Sequence, residues 1–271
     1  AQIPAAEILV HRIVWSVLVL VVLVLAAGHI AKVRDALRNK RVLQVLLVSG
    51  LLLAGNWWLF IWAVNNNHLL DASLGYYINP ILNVFLGRIF LSEKLRRLQQ
   101  FAVVLAIVGV SILVFSYGQI PWIALVLAVT FGVYGLLRKQ VRVDSLPGLF
   151  IESCMMLPFA IAYWFVYASD ESNMFSNDWS LNLILIGAGI VTTAPLLCFT
   201  AAARRIMYST LGFFQYIGPS IMFVLAVFLY AEPLSDERLI TFAFVWLALA
   251  IFSIDSLYAY RMNKRQSSND R

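Results

Sequence analysis

The chain has 271 residues, of which 62% are hydrophobic and 13% charged, with a formal net charge of +6 and a mean hydropathy of +0.84. A water-soluble domain of that length could not hide so much apolar side chain, so the composition excludes a soluble globular protein and points to an all-α, polytopic membrane helix bundle in a lipid bilayer. The basic residues sit in short clusters between apolar runs rather than on one soluble face, which excludes a nucleic-acid partner and leaves membrane orientation as their meaning.

The chain opens with Ile3-Pro4-Ala5-Ala6-Glu7, a loop entering a helix rather than a signal peptide. Apolar runs of about 20 residues, enough to cross about 30 Å of hydrocarbon, then fall near 8–30, 42–65, 72–91, 98–116, 120–137, 147–167, 181–202, 209–230 and 239–259. Nine spans are expected. The connections 31–41, 92–97, 138–146 and 203–207 and the C-terminal tail carry Lys and Arg, Arg138 among them, while the alternating connections hold only Arg238. By the positive-inside bias the basic set is cytoplasmic, which places the C-terminus inside and Ala1 outside.

The stretch Leu74-Gly75-Tyr76-Tyr77-Ile78-Asn79-Pro80 recurs as Leu211-Gly212-Phe213-Phe214-Gln215-Tyr216-Ile217-Gly218-Pro219, and each copy runs 13 residues further to an acid, Glu93 or Glu232. At that offset, span 147–167 maps onto 8–28, and span 120–137 maps onto positions before Ala1. The expected whole is therefore ten spans in an inverted 5+5 repeat, the construction of secondary transporters, with nine of the ten present. Residues 1–118 read as the first repeat lacking its first helix, 119–260 as the second repeat, and 261–271 as a basic cytoplasmic tail.

Candidate site residues follow the same order. Glu7, His11 and Arg12 lie in the first turns of the first span; they form either an ion-paired interfacial cluster or an outer gate, with Arg12 as an anion contact. Asn56 and Trp57 lie deeper than the belt-like Trp62, where an amide beside an indole could hold a partly flat polar solute. Tyr76, Asn79 and Asn83 share one helix face, and Pro80 removes a backbone hydrogen bond beside them. The stripe is either interhelical glue or a cavity lining. Glu152 is the one carboxylate within its span, a candidate for proton coupling or an acid paired with a nearby Arg, and Asp255 carries the same ambiguity. Thr192-Thr193-Ala194-Pro195 interrupts the seventh span, its hydroxyls bonding their own helix or facing solute. Gln215 and Tyr216 with Pro219 repeat the first motif, so Pro80, Pro195 and Pro219 are expected helix breaks and the two motif helices are expected to meet around a midplane cavity. Gly109, Gly187 and Gly189 are expected at close helix contacts.

No HExxH, GxSxG, phosphate-binding loop or Cys/His ligand set occurs, so neither enzyme chemistry, nor a metal, nor a cofactor has residues to carry it. Cys154 and Cys198 lie in apolar runs and read as small hydrophobes. The expected partner is a small-molecule substrate, and a homodimer through the last helix of a repeat is open. A sensor or binding scaffold that holds a ligand without moving it is the alternative to a transporter.

The inverted halves, the Leu74 to Leu95 stretch with its Ser92-Glu93-Lys94-Leu95 end, the early Glu7, His11-Arg12, Trp15-Ser16 pattern and the Asn56-Trp57-Trp58 cluster together resemble the drug/metabolite transporter superfamily in its EamA-type branch. The resemblance is greatest to the RarD, or chloramphenicol-sensitive protein, subfamily. It implies a bacterial inner-membrane transporter with a link to chloramphenicol resistance.

Overall fold

The computed structural model describes residues 3–167, 174, 177–228 and 236–269, and every regular element among them is an α-helix. These are α1 (Ala5–Ala26), α2 (Ile30–Leu37), α3 (Lys40–Asn65), α4 (Leu69–Phe90), α5 (Arg97–Ser116), α6 (Trp122–Gln140), α7 (Ser145–Tyr167), α8 (Trp179–Arg205), α9 (Tyr208–Gln215), α10 (Ile217–Phe228) and α11 (Asp236–Asn269). Glu232 and most of the 169–180 connection lie outside the described residues. Among the described residues, 7 helices are long and apolar enough to span a membrane: α1, α3, α5, α6, α7, α8 and the 239–259 part of α11. The two remaining expected spans coincide with α4, whose polar motif residues lower its hydropathy, and with α9 and α10, which at 8 and 12 residues are each too short to span alone. Phe115, Ile120, Phe165, Trp179 and Val191 are between 73% and 83% exposed, side chains suited to hydrocarbon and costly in water.

Three expectations about the elements are corrected. The 31–41 connection contains α2, an amphipathic helix that buries Val33 and Ala36. Gly28, at φ 66°, ends α1 just before it: Gly28 N–H donates to Leu25 O at 3.1 Å and His29 N–H to Val24 O at 3.0 Å, the left-handed termination that glycine adopts without a Cβ penalty. Secondly, α4 continues through Pro80 and α8 through Pro195, so each proline deletes one backbone hydrogen bond without ending its helix. Only the expected 209–230 span is interrupted, at Tyr216, one turn before Pro219. Thirdly, α11 carries on to Asn269, so the basic tail continues that helix.

The chain divides into two compact units, each drawing helices from both halves of the sequence. The first comprises residues 1–72 and 129–206. In it α1 packs against α7, α8 and α3 around Leu20, Leu53, Tyr134, Leu149 and Leu196. Gly189 permits the closest approach, since a Cβ there would stand 2.5 Å from Trp15 Cβ. Gly187 has nothing within 4 Å, so the close contact expected of it is absent.

The second unit comprises residues 73–128 and 207–271. Its core joins Val84, Ala102, Phe213, Val245 and Phe252, with the Phe213 and Phe252 rings stacked at 4.0 Å. Here α5 lies along α11: Thr241 Oγ1 donates to Gly109 O at 2.9 Å, and a Cβ on Gly109 would come within 2.7 Å of Phe244 Cβ. Arg96 Nε donates to Asp255 Oδ2 at 2.7 Å, which makes Asp255 a packing ion pair between these helices.

Candidate functional site

In the second unit the two copies of the motif touch. Gly212 brings α9 onto α4, because a Cβ there would stand 2.7 Å from Pro80 O and 3.0 Å from Asn83 Cβ. The approach puts three amides together: Gln215 Oε1 accepts from Asn79 Nδ2 at 3.2 Å and from Asn83 Nδ2 at 2.5 Å. One acceptor thus serves two donors. Asn79 Oδ1 and Asn83 Oδ1, both buried, accept no hydrogen bond among the described residues, and a buried acceptor left alone is costly. Tyr216 is buried beside them and its hydroxyl donates to Tyr77 O at 3.2 Å, whereas Tyr76 is exposed. Of the polar stripe expected on α4, Asn79 and Asn83 therefore join the amide cluster and Tyr76 stands apart.

Glu93 holds the start of α9. Its Oε1 accepts from Tyr208 N–H at 2.5 Å, and its Oε2 from Ser209 N–H at 2.9 Å and Ser209 Oγ at 2.6 Å. The carboxylate satisfies amides that a helix N-terminus leaves without partners, and its charge suits that end of the helix dipole.

In the first unit a second cluster forms. Arg12 lies 4.5 Å from the Trp57 ring centroid and its Nε donates to Thr192 Oγ1 at 3.0 Å, a cation on an indole face held in place by a hydroxyl. Asn56 Nδ2 donates to Thr130 Oγ1 at 2.8 Å. Thr193 Oγ1 is buried and makes no hydrogen bond among the described residues. Glu7 and His11, expected in an ion-paired interfacial cluster or an outer gate, are 2% and 3% exposed, with His11 edge-on to Trp164 at 4.9 Å. Their i, i+4 spacing put them on one helix face; that face turns into the unit because α1 is enclosed by α3, α7 and α8.

Glu152 completes this unit. It is 2% exposed, accepts a hydrogen bond from Ser49 Oγ, and stands 3.6 Å from Arg138 Nε. Arg138, expected as a cation of the 138–146 connection, is wholly buried. It reaches back along α7 because residue 148 is glycine; a Cβ there would stand 2.6 Å from Arg138 Cζ. The signal for this placement is the spacing of Tyr134 and Arg138, one helical turn apart on one face of α6, with Tyr134 also fully buried. Ser49 and Thr130 carried no comparable signal.

The model of the EamA-like transporter family matches residues 1–115. An "Uncharacterized transporter" of Vibrio cholerae is 53% identical over 97% of this chain and 87% of its own length. "Protein RarD" of Escherichia coli is 51% identical over 97% of this chain and 89% of its own length. A solved chain, titled "Crystal structure of protein", is 18% identical and superposes with a TM-score of 0.70 over 94% of this chain and 89% of that one, which supports the fold. The family description and the name of the Vibrio cholerae relative are those of transporters, and with the 7 apolar helices among the described residues they make this a multi-pass bacterial membrane protein. The chain belongs to the EamA-like transporter family, in its RarD subfamily.

Proposed function

We propose that the protein is a secondary transporter of the bacterial inner membrane, exporting a small polar metabolite or an amphenicol-like drug by alternating access, with its C-terminus in the cytoplasm. The observation that carries this reading is the amide cluster. Asn79, Asn83 and Gln215 converge from α4 and α9, yet two buried acceptor oxygens remain for a solute N–H or O–H. A cluster built only for packing would leave fewer acceptors open, since each one costs roughly 1–3 kcal/mol. Neutral amides impose no charge requirement, which favours a neutral or zwitterionic solute. The inverted motif supports alternating access, because two oppositely directed copies of one helix can exchange roles at a fixed site.

The test is a comparison of intracellular and extracellular metabolite pools in bacteria overproducing either the native protein or Asn79→Leu/Gln215→Leu at equal membrane abundance. Export predicts that a small polar pool shifts to the medium with the native protein and stays inside with the variant. Unchanged pools in both would contradict it.

A further inference from the structure

Glu152 and Arg138 are buried together but poorly matched. Their closest approach, 3.6 Å from Nε to Oε1, is too long for a hydrogen bond, and Arg138 Nη2 spends its own on Ser145 O at 3.2 Å. Arg138 Nε and Nη1 and Glu152 Oε2 make no close hydrogen bond among the described residues. A pair selected for rigidity would be bidentate, since desolvating two charges is repaid only by close, saturated geometry.

Glu152 also lies beside a small void. It borders a cavity of about 20 Å³ lined by Ile13, Ser16, Leu53, Trp57 and Met156, room for about one water. The charged or titratable groups facing it are Arg138 and Tyr134 of α6, and α3 contributes the Ser49 hydroxyl. On α1, His11 is turned to Trp164 and Arg12 to Trp57 and Thr192. Lys32 of α2 and Arg204 of α8 are both occupied by Asp144. The Arg138 cation and the hydroxyls of Ser49 and Tyr134 therefore hold the carboxylate against the cost of its burial, and small movements of any of them change the balance.

We propose that Glu152 is an exchangeable proton site in the membrane interior, through which the carrier is coupled to the proton gradient; the coupling rests on the transporter reading above. A proton drawn from bulk solvent and relayed by a water of the cavity adds to the carboxylate, which becomes a neutral acid, and the net charge of the Glu152–Arg138 pair rises from zero to one. Arg138 then loses its anionic partner and is driven toward another arrangement. Proton release restores the pair. Ser49 is a positioning residue: its donated hydrogen bond favours the charged form.

Infrared difference spectroscopy of the full protein in proteoliposomes, titrated between about pH 9 and about pH 5, reads the site directly. The native protein should gain the carbonyl-stretch band of a protonated, buried carboxylic acid as pH falls. Glu152→Gln should lack that band, and Glu7→Gln, which alters another buried carboxyl, should keep it. Ser49→Ala retains both charges, so it tests the idea even if Glu152→Gln is unstable; its transition should move by about one pH unit toward alkaline. Absence of the band in the native protein, or an unaltered transition in Ser49→Ala, overturns the proposal and leaves an uncoupled carrier possible. A titrating Glu152 without solute exchange overturns the transporter reading instead.

Discussion

Asn79 and Gln215 carry the functional reading on single atoms. Asn79→Leu removes the open Oδ1 acceptor together with the bond to Gln215, and Gln215→Leu removes the acceptor shared by Asn79 and Asn83; a bond to solute contributes roughly 0.5–1.5 kcal/mol, so apparent affinity should weaken about two- to tenfold, with some loss of stability beside it. Uptake assays and thermal unfolding in detergent separate the outcomes: normal transport with early melting would make the amides interhelical glue. Asp144, in the connection before α7, is a second informative residue. Hydrogen bonds from Lys32 and then Arg204 bring its carboxyl down to about 2 from an ordinary 3.8. A depressed carboxylate stabilises the fold above its ordinary value and loses that contribution as pH falls through about 2. Asp144→Asn should therefore unfold earlier than the native protein at neutral pH, by less in high salt because the pair is exposed, and the difference should vanish near the acid limit. An equal difference at every pH would contradict the assignment. Charge counting could not separate Arg138 from Lys32 or Arg204, because it records where a cation falls in the chain and not whether a glycine such as Gly148 lets it fold inward.

The packing of the elements depends on glycines whose surroundings differ. Gly212→Ala would push a methyl to 2.7 Å from Pro80 O and force α9 from α4. Overpacking of this kind costs roughly 1–3 kcal/mol. Gly187→Ala, with nothing within 4 Å, should instead be neutral or stabilising by up to about 1 kcal/mol, since alanine is the better helix former. Melting temperatures of the two variants should move in opposite directions or differ clearly; equal shifts would contradict the packing of the motif helices. The long apolar runs made α1, α3 and α5 to α8 legible in the sequence, and the repeated motif made the meeting of Asn79 with Gln215 legible too. The short α2 was hidden, because its basic residues read as a charge cluster while its buried Val33 and Ala36 are too few to register as a period. The course of α4 and α8 through their prolines was equally hidden: a missing N–H is visible in sequence, whereas the neighbouring packing that keeps the helix going is not.

For the whole molecule the composition decided the class, since apolar side chains as exposed as Phe165 at 83% and Phe115 at 82% are stable only against hydrocarbon. The division into two units was not legible: each mixes helices from both repeats, and sequence periodicity records duplication rather than contact. With the basic connections in the cytoplasm, a cysteine placed at Asn66 should be labelled by an impermeant reagent from the periplasmic side, and one at Arg142 only from the cytoplasmic side. The reverse pattern would overturn the topology. Solute exchange by the purified full protein tests the central claim most directly. Liposomes loaded with a bacterial metabolite extract supplemented with chloramphenicol are followed by mass spectrometry after dilution, alongside protein-free liposomes and the Asn79→Leu/Gln215→Leu variant. The account predicts that at least one small neutral or zwitterionic solute leaves the native vesicles faster than both controls; retention of every solute at the protein-free rate would contradict it.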